Sequence, residues 1–242
     1  MTCHTLLLRF EGPLQSWGTR SRFRDRDTER EPTKSGVIGL LCAALGRSRE
    51  EPVEDLVALR VGTRADREGA LLRDFHTALE VRRADPRAGT DTETSTRHYL
   101  SDAVFLVGIE SEDEGLLRRL DSALRQPSWP CFLGRKACVP SQPVRLPDGF
   151  RSGEPLEQAL AAYPLLRRPT SGEERRRRRA EGDQPARLRV TLECRPGEEG
   201  EERSDVPLSF VPDKRSFAVR RVRTTFVPRP DKIAGEESTP CT

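Results

Sequence analysis

The spacing of apolar residues divides the first part of the chain into short strands and two helices. The apolar run from Thr5 to Phe10 predicts the first strand. A first helix follows at 32–46, where apolar residues recur at the three- and four-residue spacing of a buried helical stripe. A hydroxyl from Thr33 or Ser35 can cap the start of this helix, and the glycine at residue 46 is its predicted stop.

The middle of the chain predicts further strands and a second helix. Strands are predicted at 59–63, 71–81 and 99–109. The second helix follows Ser111, which forms a capping box with Glu114. This order of elements predicts an α+β fold, with a ferredoxin-like domain whose two helices cover one face of a sheet.

Composition shifts suggest how the chain is organised. The ferredoxin-like domain is predicted at 1–146, with a hydrophilic β-hairpin thumb at about 83–97. A small β-rich C-terminal domain is predicted at 147–242, and a five-arginine block marks a mobile loop at 167–186 to which no role is assigned. Strands in the C-terminal region are predicted at 188–194, 206–211 and 216–227.

Charge and cysteine content narrow the possible functions. The net charge of the 242 residues is only +3, so local basic clusters must carry any argument for nucleic-acid binding. No apolar run is long enough to span a membrane, and the residues after Met1 do not resemble a signal peptide. The six cysteines lack metal-ligand spacing, which favours a cytoplasmic protein with reduced thiols, no metal and no cofactor.

The start of the first helix is a candidate phosphate site. Lys34, Ser35 and Gly36 lie in its first turn, where backbone N–H groups and the positive end of the helix dipole are expected to be free. Gly36 has no side chain that would keep a ligand from the backbone. This geometry suits a phosphate group, and the alternative is an ordinary capped helix.

Two other segments strengthen a nucleic-acid interpretation. Trp17 offers a stacking face for an unpaired base, and Gln15 and Ser16 can hydrogen-bond RNA; alternatively, Trp17 packs on the core beneath its turn. Downstream, Arg135 and Lys136 form a basic loop next to a glycine. Arg20 begins a series of basic residues in the polar loop at 18–32, and we expect these segments to meet at one end of the sheet.

The three histidines are the residues that would indicate an enzyme. A metal-independent ribonuclease could use His98, Tyr99 or Lys34 as its acid and base, but each has an ordinary structural alternative. The chain contains no recognisable hydrolase, metalloprotease or nucleotide-binding motif. No catalytic residue and no metal ligand is therefore predicted.

Five segments occur in a fixed order over about residues 5–145. They are TLLLRFEGPLQSWG, PTKSGVIGLLCAALG, DFHTAL, RHYLSDAVFLVGIE and FLGRKACVPSQPV. Together they resemble the five-type, RAMP-superfamily Cas proteins of type I-E CRISPR systems. The resemblance implies a ferredoxin-like RAMP domain with a hairpin thumb and a small C-terminal β domain.

The resemblance also implies a function. It indicates a non-catalytic RNA-binding subunit that caps the 5′ handle of the CRISPR RNA in the Cascade surveillance complex, for antiviral DNA interference. The implied partners are the seven-type backbone subunit and the large subunit, with target DNA reached only through the complex and no membrane involved. Carried to this chain, it places the handle against Gln15, Ser16, Trp17, Lys34, Ser35, Gly36, Arg135 and Lys136, and the handle–spacer junction against Arg97.

Two competing hypotheses remain open from the sequence. One is a metal-independent endoribonuclease that processes CRISPR repeat RNA, as a relative in another subtype does. The other is a stand-alone RRM-like RNA-binding protein, which would be stable and monodisperse without partners.

Overall fold

The computed structural model describes residues 2–19, 24–83, 85, 87, 89–182 and 184–235. Within these ranges the strands are β1 (His4–Glu11), β2 (Leu14–Gln15), β3 (Asp25–Arg26), β4 (Arg60–Arg67), β5 (Ala70–Arg82), β6 (Thr90–Ser101), β7 (Val104–Ser111), β8 (Arg145–Arg151), β9 (Arg187–Glu193), β10 (Glu201–Ser209) and β11 (Ser216–Pro228). The α-helices are α1 (Lys34–Leu45), α2 (Glu54–Val57), α3 (Glu114–Arg125), α4 (Leu156–Ala162) and α5 (Ser171–Glu181).

The larger of two sheets forms the centre of the protein. Its order is β10-β11-β9-β4-β7-β1-β8, and every neighbouring pair is antiparallel. Because side chains alternate along a strand, Leu6 and Leu8 of β1 enter a core with α1 and α3, whereas Leu7 enters a second core with α4. The sheet is therefore covered on both faces. The predicted α+β class is confirmed, while α4 has no counterpart in the sequence prediction.

Helix α1 begins and ends where the sequence predicts. The hydroxyl of Thr33 accepts a hydrogen bond from the N–H of Gly36, and Gly46 ends the helix with a φ of 73°. Both ends of α1 are thus fixed by local signals.

The predicted thumb is longer than expected. Strands β5 and β6 pair antiparallel from Ala70 with Ser101 to Arg82 with Thr90. The pairing therefore extends to Arg82 and Thr90, and residues 90–97 of the predicted thumb belong to β6. Residues 84, 86 and 88 of that prediction lie outside the described residues. Alternating threonines in this stretch suit a strand because β-branched residues fit the pleated backbone. The hairpin belongs to the smaller sheet, in which β6 also pairs with β2 and β3.

The C-terminal strands continue the larger sheet. Strand β9 pairs with β4, and β11 and β10 follow it outward. The sheet does not divide at residue 146, because that residue lies inside β8. Residues 147–242 therefore contribute to the same sheet that the N-terminal strands build.

The prediction of a mobile loop at 167–186 is wrong for residues 171–181, which form α5. Thr170 and Glu173 make a complete capping box at its start. This T-x-x-E signal is present in the sequence, but the arginine block that follows it resembles a low-complexity loop.

Candidate nucleic-acid interface

Three predicted site segments meet around the ring of Trp17. A Cβ placed on Gly36, in the first turn of α1, would lie 2.8 Å from ring atoms Cε3 and Cζ3. A Cβ placed on Gly134, in the basic loop, would lie 3.5 Å from Cε3. The predicted convergence of the turn, the helix start and the loop is therefore confirmed.

Trp17 occupies the core at this meeting point. Its side chain is 1% exposed, and its ring stacks on Phe10 with centroids 5.5 Å apart and planes inclined by 15°. The ring Nε1–H donates to Oε1 of Gln15 at 3.2 Å. The prediction that Trp17 offers a free face to a base is wrong for this conformation, and the alternative of core packing holds.

Gln15 and Ser16 are also structural here. Nε2 of Gln15 donates to the carbonyls of Phe10, at 3.1 Å, and Ala103, at 2.8 Å. The Ser16 hydroxyl donates to the carbonyl of His98 at 3.1 Å. Both side chains are buried. The hydrogen bonds that these two side chains donate connect the turn to β1 and to the hairpin. The prediction that Gln15 and Ser16 hydrogen-bond RNA is therefore wrong.

The start of α1 is not open to a ligand. The N–H of Lys34 donates to Oδ2 of Asp205 at 2.8 Å, and its ammonium Nζ donates to Oε1 of Glu193 at the same distance. Lys34 is 3% exposed. Burial lowers the pKa of its ammonium, and the Glu193 carboxylate opposes that shift. A carboxylate of the protein thus lies where the sequence analysis expects a phosphate.

Two further residues complete this closed helix start. Arg220 binds Asp205 through two nitrogens, at 2.6 and 2.9 Å, and reaches Glu193 at 3.2 Å. The Ser35 hydroxyl lies 3.3 Å from that of Thr33. We call Lys34, Glu193, Asp205 and Arg220 the clasp, since they join α1 to the C-terminal strands. Sequence reasoning missed it because its members are far apart in the chain.

Arg135 joins three parts of the site. Its guanidinium donates to the carbonyls of His98, Arg26 and Asp27 at 3.2, 2.9 and 3.2 Å. Its central carbon lies 4.7 Å from the ring centroid of Tyr99, in cation–π geometry. Arg135 therefore holds β3 against β6 while it keeps its positive charge at the surface.

Cations gather on the outside of this assembly. Arg26 of β3 lies opposite Arg97 of β6, and the carbonyl of Arg24 accepts from the N–H of Thr96. Lys136 follows Arg135 and is exposed. We call this group the junction surface; its members are Arg24, Arg26, Arg97, Arg135 and Lys136. The neighbouring acids are Asp25, Asp27 and Asp74.

The junction surface includes residues absent from the predicted site. Arg24 and Arg26 are exposed, and the signal for them was the alternation of basic residues through the 18–32 loop. The predicted residue Arg20 lies outside the described residues. Arg97 is half-buried, and its Nε donates to the hydroxyl of Ser95 at 3.3 Å.

The residues that could support catalysis are scattered. His4 lies on β1, whereas His76 and His98 lie on opposite strands of the hairpin and face other residues in its register. Over the ranges given for the fold, no group of three or more His, Cys, Asp or Glu side chains could hold a metal ion. Across the same part of the chain, no helix has the length and apolar character needed to cross a membrane.

Comparison with known proteins places the chain in a family. A family model described as "CRISPR-associated protein (Cas_Cas5)" matches residues 5–223. The chain belongs to this Cas5 family of CRISPR-associated proteins. It is 34% identical over 174 residues to "CRISPR system Cascade subunit CasD" of Escherichia coli (strain K12). The aligned region covers 65% of this chain and 76% of that relative.

Solved structures share the fold. One, described as "Crystal structure of Cas protein", is 44% identical with a TM-score of 0.70 and covers 93% of this chain and 97% of its own. A second, from a "CRISPR RNA-guided surveillance complex", is 31% identical with a TM-score of 0.73 and covers 97% of this chain and 95% of its own. The predicted resemblance is confirmed.

Proposed function

We propose that this chain is a non-catalytic RNA-binding subunit of a Cascade surveillance complex, where it holds the 5′ handle of the CRISPR RNA for antiviral DNA interference. Family membership and the Cascade subunit among its relatives support the assembly. The observation that carries the RNA role is the junction surface, where five cations lie on a hydrogen-bonded base. Because such a complex forms on intracellular RNA, we place the protein in the cytoplasm.

The buried residues beneath the junction surface and the exposed cations on it have different roles in the proposed binding. Gln15, Ser16 and Trp17 are buried and fix the backbone, so they support the site without touching RNA. The exposed arginines and Lys136 are free to contact phosphates, which position a nucleic acid without reading its sequence. Single-stranded RNA bound in this way is expected to dissociate more readily as salt rises.

We also propose that the hairpin contacts the seven-type backbone subunit. Leu71, Phe75 and Leu79 of β5 are 68%, 68% and 73% exposed. Apolar side chains that recur along one strand and remain exposed indicate a protein interaction surface. Arg97, near the hairpin root, would then lie where the handle meets the spacer. The large subunit is a further proposed partner, and target DNA would be reached through the complex.

The architecture suits the ferredoxin-like RAMP domain predicted at 1–146, with an attached C-terminal β region at 147–242. Its fourth strand, β8 (Arg145–Arg151), crosses that boundary, so the domain would extend to about residue 151. The sheet order β8-β1-β7-β4, with α1 and α3 packed together on one face, supports this topology. In this proposal the C-terminal strands hold α1 through the clasp and so stabilise the base of the RNA site.

The non-catalytic role rests on how the candidate acid and base groups are arranged. Tyr99 is buried beneath the Arg135 guanidinium, and the ammonium of Lys34 is paired with Glu193. Incubation of the chain with repeat RNA in EDTA is expected to leave the RNA intact. Cleavage that is lost on His98→Ala would instead support the endoribonuclease alternative.

Crosslinking tests the RNA role. A CRISPR RNA with photoreactive uridines in the handle is assembled with the other subunits and irradiated, and the crosslinked peptides are identified. We expect crosslinks in the peptides that contain residues 24–26 and 134–136. Crosslinks confined to α3 or to the C-terminal strands would overturn the assignment.

A further inference from the structure

Helix α5 is held to the protein by one side. Glu173 pairs with Arg67 at 2.5 Å, and Glu174 pairs with Arg229 at 2.9 Å. Arg177, on the same side of the helix, donates to Glu174 at 2.8 Å. Arg67 is the last residue of β4, three positions before the hairpin begins at Ala70. The helix is therefore anchored beside the root of the hairpin.

The other side of α5 carries unneutralised charge. Arg175, Arg176, Arg178 and Arg179 are all exposed. At about 100° per residue they cover roughly half of the helix circumference, opposite the anchoring side. Arg178 reaches Glu174 only at 3.9 Å. Within the described residues, the side chains of the other three make no hydrogen bond or ion pair.

A cavity beside this helix is also lined mainly by basic side chains. It has a volume of about 560 Å³ and lies between α5 and the segment at 229–233. Four arginines line it, against two acids: Arg168, Arg175, Arg178, Arg229, Glu174 and Asp231. The helix and the cavity form one basic surface, which we call the α5 surface.

The charges of α5 work against the isolated helix. Arg175 and Arg179 are separated by one turn, and like charges at this spacing destabilise a helix by a few tenths of a kcal/mol. An anionic partner would remove that repulsion. Arginine matches phosphate oxygens through paired N–H groups, so a phosphate is the anion that this side chain suits best.

We propose that the α5 surface binds the phosphate backbone of a double-stranded nucleic acid, at a site separate from the junction surface. The lining of the cavity and the sequence of α5 contain no aromatic residue, so the surface has no platform for unpaired bases. Arginines alone suit a duplex, whose bases are already paired and stacked and whose phosphates are regularly spaced. The contact would not depend on base sequence.

The test measures binding of blunt-ended duplexes, of DNA and of RNA, by the 242-residue chain at about 50 to 200 mM salt. One variant carries Arg175→Gln, Arg176→Gln and Arg179→Gln. A matched control carries Arg49→Gln, Arg119→Gln and Arg125→Gln, which are exposed and make no ion pair in the part of the chain that the structure describes. Thermal unfolding checks that both variants fold.

The α5 variant is expected to bind either duplex at least about tenfold more weakly than the control. Loss of about three phosphate contacts also predicts a weaker dependence on salt. Across this range, the factor by which the dissociation constant of the variant rises is expected to be about 40-fold smaller than the factor for the unaltered chain. The same three positions changed to lysine are expected to retain most of the binding. Equal losses in the α5 variant and the control would overturn the proposal, as would unchanged duplex binding with a loss only for single-stranded oligonucleotides.

Discussion

The ring of Trp17 packs directly against the backbone of Gly36. A Cβ at Gly36 would come within 2.8 Å of two ring atoms, closer than carbon atoms approach in folded proteins. The glycine in the first turn of α1 therefore makes room for a buried tryptophan, and a bound ligand is not needed to explain it.

Gly36→Ala is expected to destabilise the protein by about 1–3 kcal/mol, since the methyl group would overpack the core at Trp17. Chemical denaturation measures the effect. Gly39→Ala is the control on the same helix, because its Cβ would meet nothing closer than 3.9 Å. That change is expected to stabilise the protein by about 0.5–1 kcal/mol. Equal effects of the two substitutions would contradict the packing at Gly36.

Local signals account for the parts of the structure that the sequence predicted well. The Thr33 cap and the glycine stop of α1 depend on neighbouring residues, as do the strand patterns of β1 and β9. The burial of Gln15 depends instead on a distant residue, because its side-chain amide donates a hydrogen bond to the carbonyl of Ala103, 88 positions away. The sequence correctly predicted that the site segments meet. It did not predict which of their side chains face solvent, because packing between distant elements determines that.

The clasp predicts an effect on stability at the start of α1. Asp205→Asn is expected to cost about 3–5 kcal/mol, because Arg220 and the N–H of Lys34 would lose a buried carboxylate. Thermal unfolding tests this against Asp213→Asn, which changes the same charge at an exposed position. If the Asp205→Asn and Asp213→Asn variants unfold at the same temperature, the Asp205 carboxylate does not hold the start of α1.

Glu157 predicts a dependence of stability on acid. Its hydrogen bonds to Arg60 lower the pKa of the Glu157 carboxyl from 4.5 to about 2. The ionised carboxylate thus stabilises the fold at neutral pH, and this contribution is lost as pH falls from 4.5 through about 2. The side chain is 34% exposed, so solvent screening reduces the effect.

We therefore expect the free energy of unfolding of the Glu157→Gln variant to fall less steeply with acid than that of the unaltered chain, within that pH window. Urea denaturation at several pH values provides the comparison. The other carboxyls titrate in both proteins, so the difference reports on Glu157. Parallel curves would show that the pair with Arg60 contributes nothing.

The exposed apolar residues of the hairpin predict an assembly defect without a folding defect. Leu71→Ser, Phe75→Ser and Leu79→Ser together are expected to leave the melting temperature nearly unchanged and to reduce aggregation of the isolated chain. Copurification with the seven-type subunit is expected to be lost. The control replaces three residues of similar exposure on β10 and β11, namely Leu208, Val219 and Phe226. Equal loss in the control would contradict a specific role for the hairpin.

The affinity of the chain for handle RNA, measured across a salt series, tests whether the junction surface binds RNA. The variant carries Arg24→Gln, Arg26→Gln and Lys136→Gln, three exposed members of the junction surface whose side chains do not support the fold. The control carries Arg49→Gln, Arg119→Gln and Arg125→Gln. We expect weaker binding for the variant alone, with a slope of log K against log salt that is smaller in magnitude by about 2. Superimposable curves for the variant, the control and the unaltered chain would contradict it.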